Sequence, residues 1–360
     1  MKAVYIKGKE DLEIAEVPVP EPGPDQVRLK VAYVGICGSD LHYYFNGANG
    51  TFVVREPLIP GHEMSGYIDA DPQGEWAQGT PVTVHPATFG PEVPGMENLR
   101  HLRPGGSYLG SASTWPHTQG AMAQYMLVGR DMVRVLPEGV SVKAAALAEP
   151  LGVVLHGINM AGDLTGKNVL VSGSGPIGLL ATFAAKHRGA SKVTSSDVLD
   201  GPLARAKQIG ADEVINVTKQ PLPEETYDLI LECSAAAPAV NGCMKAIKPR
   251  GRIVQIGMFP GTPVAVELAA LGQKEITWIG TFRFDNEVDE AIEMIAAAPS
   301  VADVVTHVIA VDQATEAFDI AKNSEISGKV LVKLTVRSRN DLYPRRHIAR
   351  VKPPRCAVHQ

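Results

Sequence analysis

The sequence predicts an α/β chain of two domains, a β-rich module followed by a doubly wound parallel sheet, and three observations carry that expectation. At 360 residues the chain exceeds what one hydrophobic core usually supports, so two domains are expected. From Val153 onward apolar runs alternate with helical periods, the pattern that folds as crossovers on a parallel sheet. Near the middle, an apolar run at 169–172 ends in Gly173-Ser174-Gly175-Pro176-Ile177-Gly178, a glycine turn set between a strand and a helix.

Residues 1–150 look all-β in organisation, with short apolar runs such as 26–34 and 81–85 separated by Pro and Gly clusters, which suits a compact barrel-like module. In the second domain, 151–285, strands are expected at 169–172, 192–196, 213–216, 229–233, 252–257 and 276–281. Helices are expected at 178–186, 202–209 and 238–246. Six strands fit two mononucleotide-binding halves, so a complete Rossmann domain should end near Gly280. A helix at 286–298, a strand at 305–309, a helix at 313–322 and a strand at 329–335 then return the chain to the first domain over 286–336. The tail, 337–360, carries Arg337, Arg339, Arg345, Arg346, Arg350, Lys352 and Arg355 with three prolines and little periodicity. It is expected to be a basic, disordered extension.

The three glycines of the turn serve different physical ends. Gly173 permits the sharp bend, Gly175 lets backbone amides approach a pyrophosphate, and Gly178 lets helix and strand pack closely. Pro176 and Ile177 complete the cofactor-binding turn. The helix N-terminus beyond it, with unpaired amides and a positive dipole end, favours an anion. Asp197 lies 24 residues beyond Gly173, at the end of the next strand, where its carboxylate can accept from both ribose hydroxyls and would repel a 2′-phosphate. The expected cofactor is therefore NAD.

A hydrophobic content of 45% and a charged content of 20% describe an ordinary globular protein, and a net charge of −5 argues against a nucleic-acid partner, which needs a concentrated basic face. No apolar run of about 18 residues suggests a membrane span, and Met1-Lys2-Ala3-Val4-Tyr5-Ile6 reads as a strand of a cytoplasmic protein rather than a signal peptide. The four cysteines, Cys37, Cys233, Cys243 and Cys356, are scattered, so they can build neither a disulfide framework nor a four-cysteine knuckle. Any metal must recruit histidine and carboxylate.

Four places in the first 150 residues offer that chemistry: Gly35-Ile36-Cys37-Gly38-Ser39-Asp40-Leu41-His42-Tyr43-Tyr44, Gly61-His62-Glu63-Met64-Ser65-Gly66, His117 and Glu149-Pro150. Cys37, His62 and a carboxylate together supply a thiolate, an imidazole and an oxygen, the set that holds zinc with an open fourth position. Alone, Cys37 would be a small buried hydrophobe and His62 a satisfied loop histidine. Beside a dinucleotide turn, they favour a catalytic metal.

The two motifs and the later glycine turn, in that order, resemble the zinc-dependent medium-chain dehydrogenases over residues 1 to about 335. That resemblance implies a GroES-like catalytic domain interrupted by the Rossmann domain, with the active site in the cleft between. Glu149-Pro150-Leu151 resembles the polyol branch, which includes sorbitol, xylitol and L-idonate dehydrogenases; the runs Gly110 to His117 and Gly280 to Phe284 are most similar to its L-idonate members. The implied metal set is Cys37, His62 and Glu63, with Glu149 ligating directly or through water. A homo-oligomer, dimer or tetramer, is implied as well.

The resemblance also implies a route for the alcohol proton from Ser39 through the cofactor ribose to His42. Asp40 either orients a ligand or caps a turn. Tyr43, Tyr44, His117 and Arg283 offer donors to a substrate rich in hydroxyls, and Arg283 could pair with a sugar-acid carboxylate, form an interdomain salt bridge or contact the cofactor. Two departures from the family stand out. Residues 86–116 contain no cysteine, so a structural zinc is not expected and packing with Pro91, Pro94 and Pro104 must hold that loop. Pro202 stands where many polyol relatives have an arginine. A zinc-free quinone reductase would have no use for Cys37, His62 and Glu149 together, and a non-enzymatic cofactor binder would need no metal.

Overall fold

Along Gln26–Gly35 (β1) the buried Val27, Leu29 and Val31 alternate with more exposed neighbours, the period of two that one buried face requires. The computed structural model describes residues 1–259 and 261–335; the expected basic tail, 337–360, lies outside them. The chain opens with a hairpin, Lys2–Gly8 against Asp11–Glu16, before β1. Next comes a helix, Gly38–Asn46 (α1), so the first domain is not all-β. Its start is fixed by Asp40, whose carboxylate accepts from the Cys37 amide at 2.9 Å, and its end by Gly47 at φ 73, the left-handed cap that glycine adopts readily. Strands Glu63–Ala70 (β2), Pro81–Val84 (β3), Tyr125–Gly129 (β4) and Val133–Val135 (β5) follow, with shorter paired segments between them.

The helix Ala148–Ala161 (α2) is absent from the sequence-based expectation. Pro150 sits in its first turn, where a missing N–H is harmless, and Leu151, Val154, Leu155, Ile158 and Ala161 are all buried. The alternating half follows: Asn168–Ser172 (β6), Pro176–His187 (α3), Lys192–Asp197 (β7), Asp200–Ile209 (α4), Glu213–Asn216 (β8), Tyr227–Glu232 (β9), Ala237–Ala246 (α5), Ile247–Gln255 (β10) and Thr277–Gly280 (β11). The chain ends with Glu287–Ala297 (α6), Val305–Ala310 (β12), Ala314–Lys322 (α7) and Lys329–Lys333 (β13).

The second sheet runs β8-β7-β6-β9-β10-β11, all parallel, the order of a Rossmann domain with its crevice at the β6/β7/β9 switch point. The first sheet runs β5-β3-β2-β1-β13-β12, with β4 also paired to β1. Thus β12 and β13 lie in the first sheet, with α7 packed on them. Helix α6 lies elsewhere: its Val288, Ala291, Ile292 and Ile295 join the core formed by α2 and α3. No helix among the described residues is long and apolar enough to cross a membrane.

Candidate active site

Strand register brings the two metal-binding motifs together. In the antiparallel pair β1 and β2, Gly35 stands opposite Glu63, so Cys37, two residues on, comes beside His62 and Glu63. Gly35 is required there by space: a Cβ on it would lie 2.0 Å from Glu63 Oε2. The Asp40 carboxylate, fully buried, accepts from the Cys37 amide at 2.9 Å and from the Gly61 amide at 3.0 Å. It therefore caps α1 and also ties that turn to the segment leading into β2, where His62 stands.

The donor atoms of Cys37, His62 and Glu63 all lie within 4.8 Å of one another. Small side-chain rotations bring such a group around one ion with bonds of about 2.0–2.3 Å. The chemistry fits zinc: a soft thiolate, an imidazole and one carboxylate oxygen. Two of the buried polar atoms without a hydrogen-bond partner among the described residues are His62 Nδ1 and Glu63 Oε2, and unpartnered buried groups of this kind are uncommon in folded chains. Electrostatics agree. Burial works against a charged imidazole, yet the Cys37 sulfur, then Glu149 and Asp40, outweigh it and hold His62 up at about 10, so the cluster favours positive charge.

Two residues that the sequence alone does not single out hold the carboxylates. Lys329, first residue of β13 and buried, donates to Glu63 Oε1 at 2.7 Å and to the Ile36 carbonyl at 3.2 Å. Burial would discharge it, but Glu63 and Cys37 keep its pKa above the ordinary lysine value. Tyr108 donates its hydroxyl to Glu149 Oε1 at 2.6 Å; burial, then the Glu149 charge, push its phenol well above the ordinary value, so it remains a donor. The Arg283 guanidinium carbon lies 4.0 Å from the centre of the Tyr108 ring, a cation–π contact. Among the described residues Arg283 has no carboxylate in ion-pair range, so the interdomain salt bridge considered for it is not formed there.

Ser39 lies on the first turn of α1 and is half-buried, whereas His42, one turn later, is exposed and its Nδ1 is 3.2 Å from Asn46 Nδ2. Tyr43 and His117 do not offer the free donors expected of them. The Tyr43 hydroxyl, on a side chain 1% exposed, accepts from the Ala112 amide at 3.1 Å. His117 accepts from the Arg55 amide at 3.0 Å, and its other ring nitrogen is 3.0 Å from the Thr114 carbonyl. Tyr44 is packed against Phe45 and Phe318. Each is held by at least one residue distant in sequence: Tyr43 by Ala112, Tyr44 by Phe318 and His117 by Arg55.

At the cofactor turn, Gly173 has φ 91, a conformation that favours glycine. A Cβ on Gly178 would lie 1.8 Å from the Gly173 carbonyl, whereas one on Gly175 would meet nothing within 4 Å. Gly175 thus leaves open space at the head of α3, with Pro176 as its first residue and Ile177 packed against the core. Asp197 ends β7 and accepts from the Ser174 amide at 2.8 Å and the Val198 amide at 2.7 Å, so its carboxylate is pinned at the turn. The Arg205 guanidinium, close enough to Asp197 to feel its charge, donates to the Glu325 carbonyl at 3.1 Å. The cysteine-free segment 86–116 is fastened by more than its prolines. Ala87–Thr88 pairs with Ser107–Tyr108, and Arg100 reaches Asp285 at 2.6 Å while covering the Phe89 ring at 4.4 Å.

The chain matches the family described as alcohol dehydrogenase GroES-like domain over residues 23–138 and the family described as zinc-binding dehydrogenase over residues 176–297. It is 30% identical to sorbitol dehydrogenase of Bos taurus over 94% of its own length and 97% of that protein's. It is 32% identical to L-idonate 5-dehydrogenase (NAD(P)(+)) of Escherichia coli, covering 82% of this chain and 86% of that one. Its structure is similar to the crystal structure of L-idonate 5-dehydrogenase from Escherichia coli, with TM-score 0.87 and 29% identity over 92% of this chain and 98% of that chain.

Proposed function

The chain belongs to the zinc-dependent medium-chain dehydrogenases, in the polyol branch, and from that premise we propose that it moves a hydride between a secondary alcohol of a polyol or sugar acid and NAD. Cys37, His62 and Glu63 would hold the zinc, with Glu149 beside them; their mutual spacing is the observation that carries the reading. When bound, zinc supplies a Lewis acid that lowers the pKa of a coordinated alcohol. Ser39, two residues after Cys37, takes the released proton, and the exposed His42 on the same face of α1 hands it to solvent. The backbone amides at the head of α3 hold the pyrophosphate, and Asp197 selects an unphosphorylated ribose.

Arg283 decides between an uncharged polyol and a sugar acid such as L-idonate. Its guanidinium lies over a ring whose hydroxyl touches Glu149, so a carboxylate on the substrate finds an unpaired cation one aromatic ring from the reacting end. A simple aliphatic alcohol would leave that polar group without a partner. The working form is proposed to be a dimer or tetramer.

The reading is tested by chelation and by a substrate panel. Stripping the metal should abolish oxidation while circular dichroism shows the fold near intact, and elemental analysis should give about one zinc per chain. Two zincs per chain would contradict the cysteine-free 86–116 segment. Polyols and aldonates scored by NADH appearance identify the substrate, and no turnover on any of them rejects the proposed class.

A further inference from the structure

The cluster contains two glutamates, and only one of them belongs to the set of converging donor atoms. Glu63 lies with Cys37 and His62, whereas Glu149 falls outside that set, although its charge is felt by His62. Distance along the chain does not separate them; hydrogen bonding does. Lys329 takes Glu63 Oε1 and leaves Oε2 unpartnered beside the cluster. Tyr108 takes Glu149 through a short hydrogen bond, 2.6 Å, between two buried side chains, the geometry of a strong charge-assisted bond.

Tyr108 cannot follow a moving carboxylate. Its backbone is paired with Ala87 in a two-residue antiparallel ladder, Arg283 covers one face of its ring at 4.0 Å, and His62 meets it edge-on at 5.3 Å. Among the described residues no other group donates a hydrogen bond to Glu149. We propose that Tyr108 is a positioning residue whose hydroxyl holds Glu149 out of the metal-binding set, so that three protein donors and not four meet the ion. This rests on the zinc-dehydrogenase reading above and goes beyond it, because it names what keeps the fourth position open for substrate.

The consequence separates this role from a merely structural one. Without the hydroxyl, a carboxylate beside a dication swings towards it and occupies the fourth position, so the metal should be held more tightly while turnover falls. The experiment is Tyr108→Phe in the zinc-loaded full-length protein, read by the rate of zinc release to a chelator and, separately, by kcat and KM. Release should slow roughly ten-fold and kcat should fall roughly ten-fold, the lower end of what a hydrogen bond to a charged group contributes, with KM little changed. In the double variant Tyr108→Phe with Glu149→Gln the slowed release must disappear. Zinc release that is faster or unchanged in Tyr108→Phe overturns the proposal, as does slowed release that persists in the double variant. An unsubstituted protein that retains zinc and oxidises polyols keeps the family reading whichever way the variants fall, whereas one that binds no zinc overturns both.

Discussion

Arg283 combines three features: an unpaired guanidinium, a left-handed backbone at φ 51 and a seat on the Tyr108 ring. A positive φ on a non-glycine residue is strained and persists when the surroundings over-determine it; here two rings, Tyr108 and Phe282, flank the side chain. Replacing Arg283 by methionine keeps most of the apolar contact and removes the charge. On a sugar acid, kcat/KM should fall about 30-fold or more, the range of a lost charged hydrogen bond. On an uncharged polyol the loss should stay within about 3-fold, reflecting the cation–π contact alone. Equal losses on both substrates would remove the carboxylate from the substrate assigned to this residue. Tyr43 and His117 belong at the same scale as a contrast: their polar atoms are satisfied by Ala112, Arg55 and Thr114, so substitutions there should lower stability before they alter specificity.

At the scale of elements, the pairing of β1 with β2 is what assembles the site, and Gly35 is the position in it that presses directly on a donor side chain. Its φ is not left-handed, so alanine is acceptable to the backbone and the conflict is with the Glu63 side chain alone, 2.0 Å from Oε2, 3.0 Å from Cβ and 3.1 Å from Cδ. Gly35→Ala should therefore leave a folded protein whose zinc affinity falls by at least about ten-fold, as expected when a ligand carboxylate is displaced; chelator competition measures it, and unchanged affinity would show that Glu63 is not a donor. The parallel strands are the most legible part of the chain. Residues 169–172 are expected and found within a strand, because strands covered on both faces read as short apolar runs bounded by turn residues. Helix α2 is not legible, because Glu149-Pro150 reads as a break and its almost continuous burial leaves no polar stripe to set a helical period. Cys37, His62 and Glu63 are legible as chemistry. Lys329 is not, since it reaches Glu63 across 266 positions and nothing local marks it. Tyr108 escapes for the same reason, standing in a segment whose most visible feature is its lack of cysteine.

At the scale of the whole molecule, the first sheet, the Rossmann core and the 86–116 segment meet around the start of α6. His156 on α2 is 2.9 Å from Glu287 Oε1 on α6, and the His101 ring of the 86–116 segment lies edge-on to His156 at 4.8 Å. Arg100 reaches the neighbouring Asp285, and the Glu287 carboxylate also accepts from the Asp285 amide at 2.9 Å. Burial alone would raise the Glu287 pKa, but the His156 hydrogen bond outweighs it and lowers it from 4.5 to about 2. A carboxyl whose folded pKa is depressed stabilises the fold fully above its unfolded value, and that contribution is lost as pH falls towards the folded one. The window is therefore pH 4.5 down to about 2. For a half-buried pair, screened by solvent, the contribution is on the order of 1 kcal/mol. Glu287→Gln should accordingly be less stable than the unsubstituted protein at neutral pH by about that amount, with the gap closing as the pH is lowered through the window. Urea titrations at pH 7, 4 and 2.5 measure it. A gap that stays constant from pH 7 to 2.5 would mean that Glu287 contributes through packing and not through its charge, and that the junction of the three pieces is held by Arg100 with Asp285 and by the apolar face of α6.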